Sequence, residues 1–205
     1  MFRFWLASIP VIACSACTSV PAKPAQAQQV AAAGTAAPAA PTGADMLVAT
    51  LTEGERAAAL NDYPALLRAA QRLQAIGARP EQGSEDVAEL WREQALAHGA
   101  AVDGQAVPYR GRLLGPAYRK GQLPAGGTVM LQQIFVAGER ARVALVSGDG
   151  GRFSLEVTDP SGTPPCAHDA ASAPNCTWLP TFTARYNIRV RNTADNSAHF
   201  YLTLN

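Results

Sequence analysis

Two cysteines in the C-terminal half, Cys166 and Cys176, flank a Pro- and Ala-rich stretch, and His168 and Asp169 follow the first of them closely. Paired thiols in an oxidising compartment form a disulfide by default. Closing a loop of this size would stabilise the folded chain by roughly 2–3 kcal/mol in the chain-entropy account. The competing chemistry is a metal site that recruits His168 and Asp169. Cys-x-His-Asp followed by one further Cys matches no established zinc spacing. A Cys166–Cys176 disulfide is therefore expected, and neither a metal nor another cofactor is.

A second group could recognise anions. Between Pro108 and Lys120, Arg110, Arg112, Arg119 and Lys120 are interleaved with Tyr109 and Tyr118 in a Gly/Pro-broken stretch. Arg presents a planar fork that grips carboxylates and phosphates, and Tyr adds a flat surface for sugars or protein. One reading is a binding patch of Arg110, Arg112, Tyr118, Arg119 and Lys120 for an envelope polymer, a lipid headgroup or an acidic protein. The other is a solvated entry strand whose cations pair with carboxylates of the preceding helical segment.

Catalytic groups are sparse. The chain has three His, at 98, 168 and 199, and lacks a Gly-x-Ser-x-Gly elbow, a His-Glu-x-x-His pair and a P-loop. His98 falls at a helix end, where a cation suits the dipole. His199 falls on the polar side of a strand and reads as a surface residue. Asp149 and Asp159 sit in Gly-containing turns, which favour Asp without any chemistry. Catalytic residues are thus not expected, and the protein reads as a non-enzyme. A formal net charge of +1 provides no field for nucleic acid.

The positioning elements begin with an export address. Met1-Phe2-Arg3, an apolar run from Phe4 to Ala13 and then small residues make a secretory signal over residues 1–16. The run is shorter than the roughly 20 residues that span a bilayer. Val11-Ile12-Ala13-Cys14 and Cys14-Ser15-Ala16-Cys17 both resemble the bacterial lipoprotein lipobox, which implies a lipidated cysteine as mature N-terminus. Cys17 is the expected site, because cleavage there leaves only Cys166 and Cys176 as further thiols. Cys14 is the alternative. Ser15 and Thr18 are not Asp, which by the same resemblance implies sorting to the outer membrane. Ala25-Gln26-Ala27 offers a soluble, periplasmic alternative. Residues 17–44, rich in Ala, Pro, Gln and Thr, are expected to be a disordered tether.

Residues 45–100 read as a helical segment. Thr52-Glu53-Gly54-Glu55 has the capping-box pattern. Asp62 caps a helix carrying Tyr63, Leu66, Leu67, Ala70, Leu73 and Ile76, stopped by Gly77 and Pro80. Ser84 is expected to cap another, with Val87, Leu90, Trp91 and Ala95 as its apolar stripe and Gly99 at its end. These faces need a partner, either the following domain or another protein.

From about residue 106 to 205 the period is two. Strands are expected at Val129–Phe135, Ala141–Leu145, Phe153–Val157, Tyr186–Val190 and Phe200–Leu204, the last two paired as a hairpin. Short strands with regular turns predict a mainly β fold, an antiparallel β-sandwich.

Phe135-Val136-Ala137-Gly138-Glu139, Ser147-Gly148-Asp149-Gly150, Trp178-Leu179-Pro180, Thr183 with Tyr186-Asn187-Ile188-Arg189-Val190, Asn192 and the closing Phe200-Tyr201-Leu202-Thr203-Leu204-Asn205 together resemble the bacterial pre-peptidase C-terminal domain family, over Gly126 to Asn205. The resemblance implies a jelly-roll-like sandwich and an extracellular setting. Gly151-Arg152-Phe153-Ser154-Leu155 stands where members often carry Asp-x-Asp-Leu, so a calcium role is not implied. The combined expectation is a non-catalytic cell-envelope lipoprotein that docks an envelope protein or glycan. The alternatives are an accessory or inhibitor of a secreted hydrolase, or a hydrolase of unrecognised type. An apolar patch on the helices would favour a protein partner, a concave aromatic face a glycan, and a cleft with converging carboxylates a hydrolase.

Overall fold

The computed structural model describes residues 41–101 and 115–204, which belong to one compact unit. The signal, both candidate lipidation sites Cys14 and Cys17, and Arg110 and Arg112 lie outside the described residues.

Three helices come first: α1 (Gly43–Ala59), α2 (Tyr63–Ala75) and α3 (Val87–Ala97). The capping box of α1 is not at Thr52 but at Thr42, whose hydroxyl oxygen accepts from the Asp45 N–H while the Asp45 carboxylate accepts from the Thr42 N–H at 2.8 Å. Residues 42–44, read from sequence as tether, are therefore the cap and first turn of a helix. Thr52 lies mid-helix and returns its hydroxyl hydrogen to the Val48 carbonyl, so a cap-like pattern inside a good helix-forming run did not start one. Asp62 does cap α2, accepting from the Ala65 N–H at 3.0 Å. Gly77, at φ +69°, takes the left-handed position just past that helix's end. Asp86, not Ser84, caps α3. Of the expected stripe, Val87, Trp91 and Ala95 are buried, whereas Leu90 is exposed.

The strands are β1 (Arg79–Pro80), β2 (Ala117–Leu123), β3 (Thr128–Phe135), β4 (Ala141–Ser147), β5 (Phe153–Thr158), β6 (Cys166–Ala171), β7 (Asn175–Trp178), β8 (Ala184–Asn192) and β9 (Ala198–Leu204). They form two sheets, ordered β1-β2-β9-β4-β7 and β3-β8-β5-β6. Every pairing is antiparallel apart from the two-residue β1–β2 contact. The fold is mainly β, a two-sheet sandwich preceded by a helical segment.

The last two strands do not make a hairpin. β8 pairs with β3 and β5, while β9 crosses to the other sheet and pairs with β2 and β4. The crossover is pinned by buried Asn192, whose amide donates to the carbonyls of Leu123, Pro124 and Asn196. Between the sheets, Val143, Leu145, Phe153, Leu155, Val157, Ile188, Val190, Phe200 and Leu202 form one core.

A second core lies on the outer face of the five-stranded sheet. There Tyr118, Val146 and Tyr201 pack against Leu47, Leu51, Leu66, Leu73 and Trp91 of the helices. The helical segment thus finds its partner within the chain. β9 is buried on both faces, because Phe200 and Leu202 enter the first core while Tyr201 enters the second.

Candidate functional site

His199 is two residues from Tyr201 on β9, so it shares the face covered by the helices. It is not the surface residue expected from sequence, for its side chain is only 19% exposed. Its Nδ1 lies 2.6 Å from Asp149 Oδ2 and its Nε2 lies 3.0 Å from Glu55 Oε1. Tyr201 donates its hydroxyl hydrogen to the same Glu55 oxygen at 2.6 Å. Three elements meet here: Glu55 from α1, Asp149 from the turn after β4, and His199 with Tyr201 from β9.

The approach is close enough to dictate a glycine. A Cβ on Gly148 would stand 2.0 Å from His199 Nε2 and 2.5 Å from Glu55 Oε2, so no larger residue fits without moving the cluster. Asp149 follows with φ +53°, a left-handed conformation that Asp tolerates better than most residues.

Electrostatics favour an imidazolium. The Glu55 hydrogen bond is the main influence raising the His199 pKa above its ordinary value, with Asp149 adding to it and burial opposing. Burial, followed by the nearby Glu55 charge, pushes the Tyr201 phenol upward, so this hydroxyl stays protonated.

The cluster borders a groove in two adjoining hollows that share Lys120, Asp149 and His199. One, of about 400 Å³, is completed by residues including Ser84, Glu85 and Gln122. The other, of about 560 Å³, is completed by residues including Leu90, Trp91 and Gln94. Lys120 Nζ lies 2.7 Å from Glu85 Oε2, and this contact holds the Glu85 carboxyl below its usual range.

The expected anion patch divides. Tyr118 offers no stacking surface: it is 1% exposed, its hydroxyl accepts from the Val87 N–H at 2.9 Å, and its ring packs edge-on to Tyr201. Arg119 pairs with Glu81 at 2.8 Å and Lys120 with Glu85, so both cations meet carboxylates of the helical segment. Lys120 alone of the described members lines the groove. Nothing in the sequence singles out Glu55 as a partner, and the sequence expectations give His199 and Asp149 only structural places. The clue available was the two-residue spacing of His199 and Tyr201, had that strand been read as buried on both faces.

The Cys166–Cys176 disulfide is present, with Cα atoms 5.7 Å apart. It joins β6 and β7, which are edge strands of different sheets, and so staples the sandwich along one side. A His168 ring nitrogen lies within 4.8 Å of both sulfurs, but those sulfurs are bonded to each other, and His168 Nε2 meets the Asn175 carbonyl at 2.8 Å. His98 does stand at the C-terminus of α3, where its ring stacks on Tyr63.

No family model matches this chain. No curated protein matches it either. Among solved structures, it is similar to the pre-peptidase C-terminal domain of collagenase from Bacillus anthracis, with 11% identity, a TM-score of 0.39, and coverage of 44% of this chain and 89% of that one. It is also similar to the periplasmic g-type lysozyme inhibitor PliG of Aeromonas hydrophila (16% identity, TM-score 0.30, 43% of this chain and 85% of that one). A carbohydrate-binding module from Cellvibrio mixtus lichenase 5A, solved with cellotriose, shows 11% identity, a TM-score of 0.27, and coverage of 40% and 72%.

Proposed function

We propose that the protein is a non-catalytic cell-envelope lipoprotein whose groove docks a glycan. The supporting observation is the engagement of His199 from both sides. Both ring nitrogens are engaged by carboxylates. A general base needs a free lone pair aimed at substrate, and an imidazolium held from both sides has none. The same groove presents Lys120, Gln94, Gln122 and Ser84 as hydrogen-bonding groups beside Leu90 and Trp91. Convergent polar groups beside an apolar wall suit a sugar, which offers hydroxyls and C–H faces together. Attachment through Cys17, or Cys14, would place this module in the envelope. No helix among the described residues is long and apolar enough to cross a membrane.

The test is co-sedimentation of the protein with purified peptidoglycan sacculi and with insoluble envelope polysaccharide. The Gln94→Ala and Lys120→Ala variants should be retained roughly tenfold less, the loss expected when a polar ligand contact is removed. Undiminished retention by both variants would reject the groove as the docking site. A second reading, a hydrolase, is favoured by the convergence of Glu55 and Asp149 in the cleft. Release of soluble fragments that stops in Asp149→Asn would establish it in place of docking.

A further inference from the structure

The end of the sandwich opposite the groove carries exposed apolar side chains at the end of β3 and on the loops beside it. Phe182 is 76% exposed and Leu179 66%, and Ile134 and Val136 are about half exposed beside them. The loops form one rim: the Gly138 N–H donates to the Pro180 carbonyl at 2.9 Å, the Ala137 N–H donates to Thr183 Oγ1 at 3.0 Å, and Ile134 faces Arg185 across the β3–β8 pair. Arg140 and Arg185 stand at its margin with Glu139 in the same turn, so the margin carries two cations and one carboxylate.

The chain enters the folded unit at this same end. Asp45, in the first turn of α1, is ion-paired with Arg142 near the start of β4. Ala141 next to it pairs with Trp178, whose ring packs edge-on to Phe135 at 4.8 Å. From Asp45 to Glu55, α1 then runs about 15 Å to the groove end, at 1.5 Å per residue. Thr42, the cap of α1, therefore lies at the rim end of the folded unit, and the groove lies at the other.

We propose that the rim of Ile134, Val136, Leu179 and Phe182 seats in the anionic phospholipid surface to which the N-terminus is anchored. This rests on the lipoprotein reading above. Projecting Phe and Leu side chains flanked by Arg have the chemistry of an interfacial contact, with apolar tips below the headgroups and guanidinium groups among the phosphates. The contact can be weak in itself, because a domain tethered to a bilayer samples it at high local concentration. Seating this end on the lipid directs the groove outward.

The experiment uses the mature protein, isolated from envelopes and reconstituted into phosphatidylglycerol–phosphatidylethanolamine vesicles. A single cysteine is introduced by Thr181→Cys in the rim or by Leu60→Cys at the opposite end of α1, both exposed positions. Labelling by a water-soluble maleimide is followed by peptide mapping. Modification at 181 should be roughly tenfold slower than at 60, as expected for an interfacially seated loop. Adding Leu179→Ser and Phe182→Ser should abolish the difference. Equal rates at 181 and 60 in a protein whose N-terminal peptide carries lipid would overturn the rim proposal alone. A peptide without lipid would overturn the lipoprotein reading and this proposal with it. The Leu179→Ser, Phe182→Ser protein should still sediment with glycan, which keeps the two readouts separate.

Discussion

Tyr201 donates its hydroxyl hydrogen to Glu55 at 2.6 Å across a sequence separation of 146 residues. The bond joins a strand at the centre of the five-stranded sheet to the first helix, inside a core where an unmet polar group is costly. It also keeps the Glu55 carboxylate aimed at His199. Tyr201→Phe should therefore destabilise the protein by about 2 kcal/mol, the range for a hydrogen bond to a charged acceptor. Urea unfolding checks this: the midpoint should fall with the slope unchanged.

The His199 cluster has a pH signature. Its pKa is raised in the folded state above the ordinary 6.5, so the folded state binds the proton more tightly than the unfolded chain. The stability this contributes is fully present below about pH 6.5 and is lost as pH rises through the higher folded value. Melting temperature should decline on that alkaline side, and His199→Gln should flatten the decline. A profile of equal slope in the variant would show that the cluster is not its source.

The cap of α1 behaves oppositely. Hydrogen bonds from Thr42, and then Arg142, hold the Asp45 carboxyl down to about 2 from 3.8. Its contribution is present above pH 3.8 and is lost as pH falls through about 2. Thr42→Ala should cost about 1 kcal/mol at neutral pH, the usual value of an N-cap, and circular dichroism melts would register it.

Gly54 sits on α1 where a Cβ would meet the Trp91 ring at 2.1 Å. Gly54→Ala gains helix propensity yet should lose about 1–3 kcal/mol through overpacking. A shift in Trp fluorescence should accompany the lower denaturation midpoint.

Replacing Cys166 and Cys176 together by Ser should lower stability by roughly 2–3 kcal/mol, the loop-closure value for a separation of 10 residues. The reduced wild type should match the double variant in a denaturant titration.

Much of the architecture was legible where one face of an element is wet. Phe153, Leu155 and Val157 alternate with half-exposed neighbours, so β5 announced itself, and Asp62 marked the start of α2 correctly. Legibility failed where both faces are dry. In β9, Tyr201 and Thr203 read as the polar side, yet the helical layer covers them, and His199 was misplaced with them. The Ala- and Pro-rich composition between Cys166 and Cys176 hides β6 and β7, edge strands whose order comes from the disulfide and neighbouring β5 and β4. The site was invisible for a related reason. Glu55, Asp149 and His199 belong to three distant segments, and only long-range pairing brings them within hydrogen-bonding distance. The Arg110–Lys120 cluster was conspicuous because it is local, but the described cations there serve packing against the helical segment.

β9 is the last strand in chain order, and it lies in the middle of its sheet, flanked by β2 and β4 and shared between two cores. A chain delivered N-terminus first would hold β2 and β4 apart, with an open slot between them, until residues 198–204 arrived. Neither the sandwich interior nor the seat of the helical layer would be complete before that moment. Until then the earlier segments would remain exposed to chaperones and proteases, and the arrival of one strand would complete both cores together.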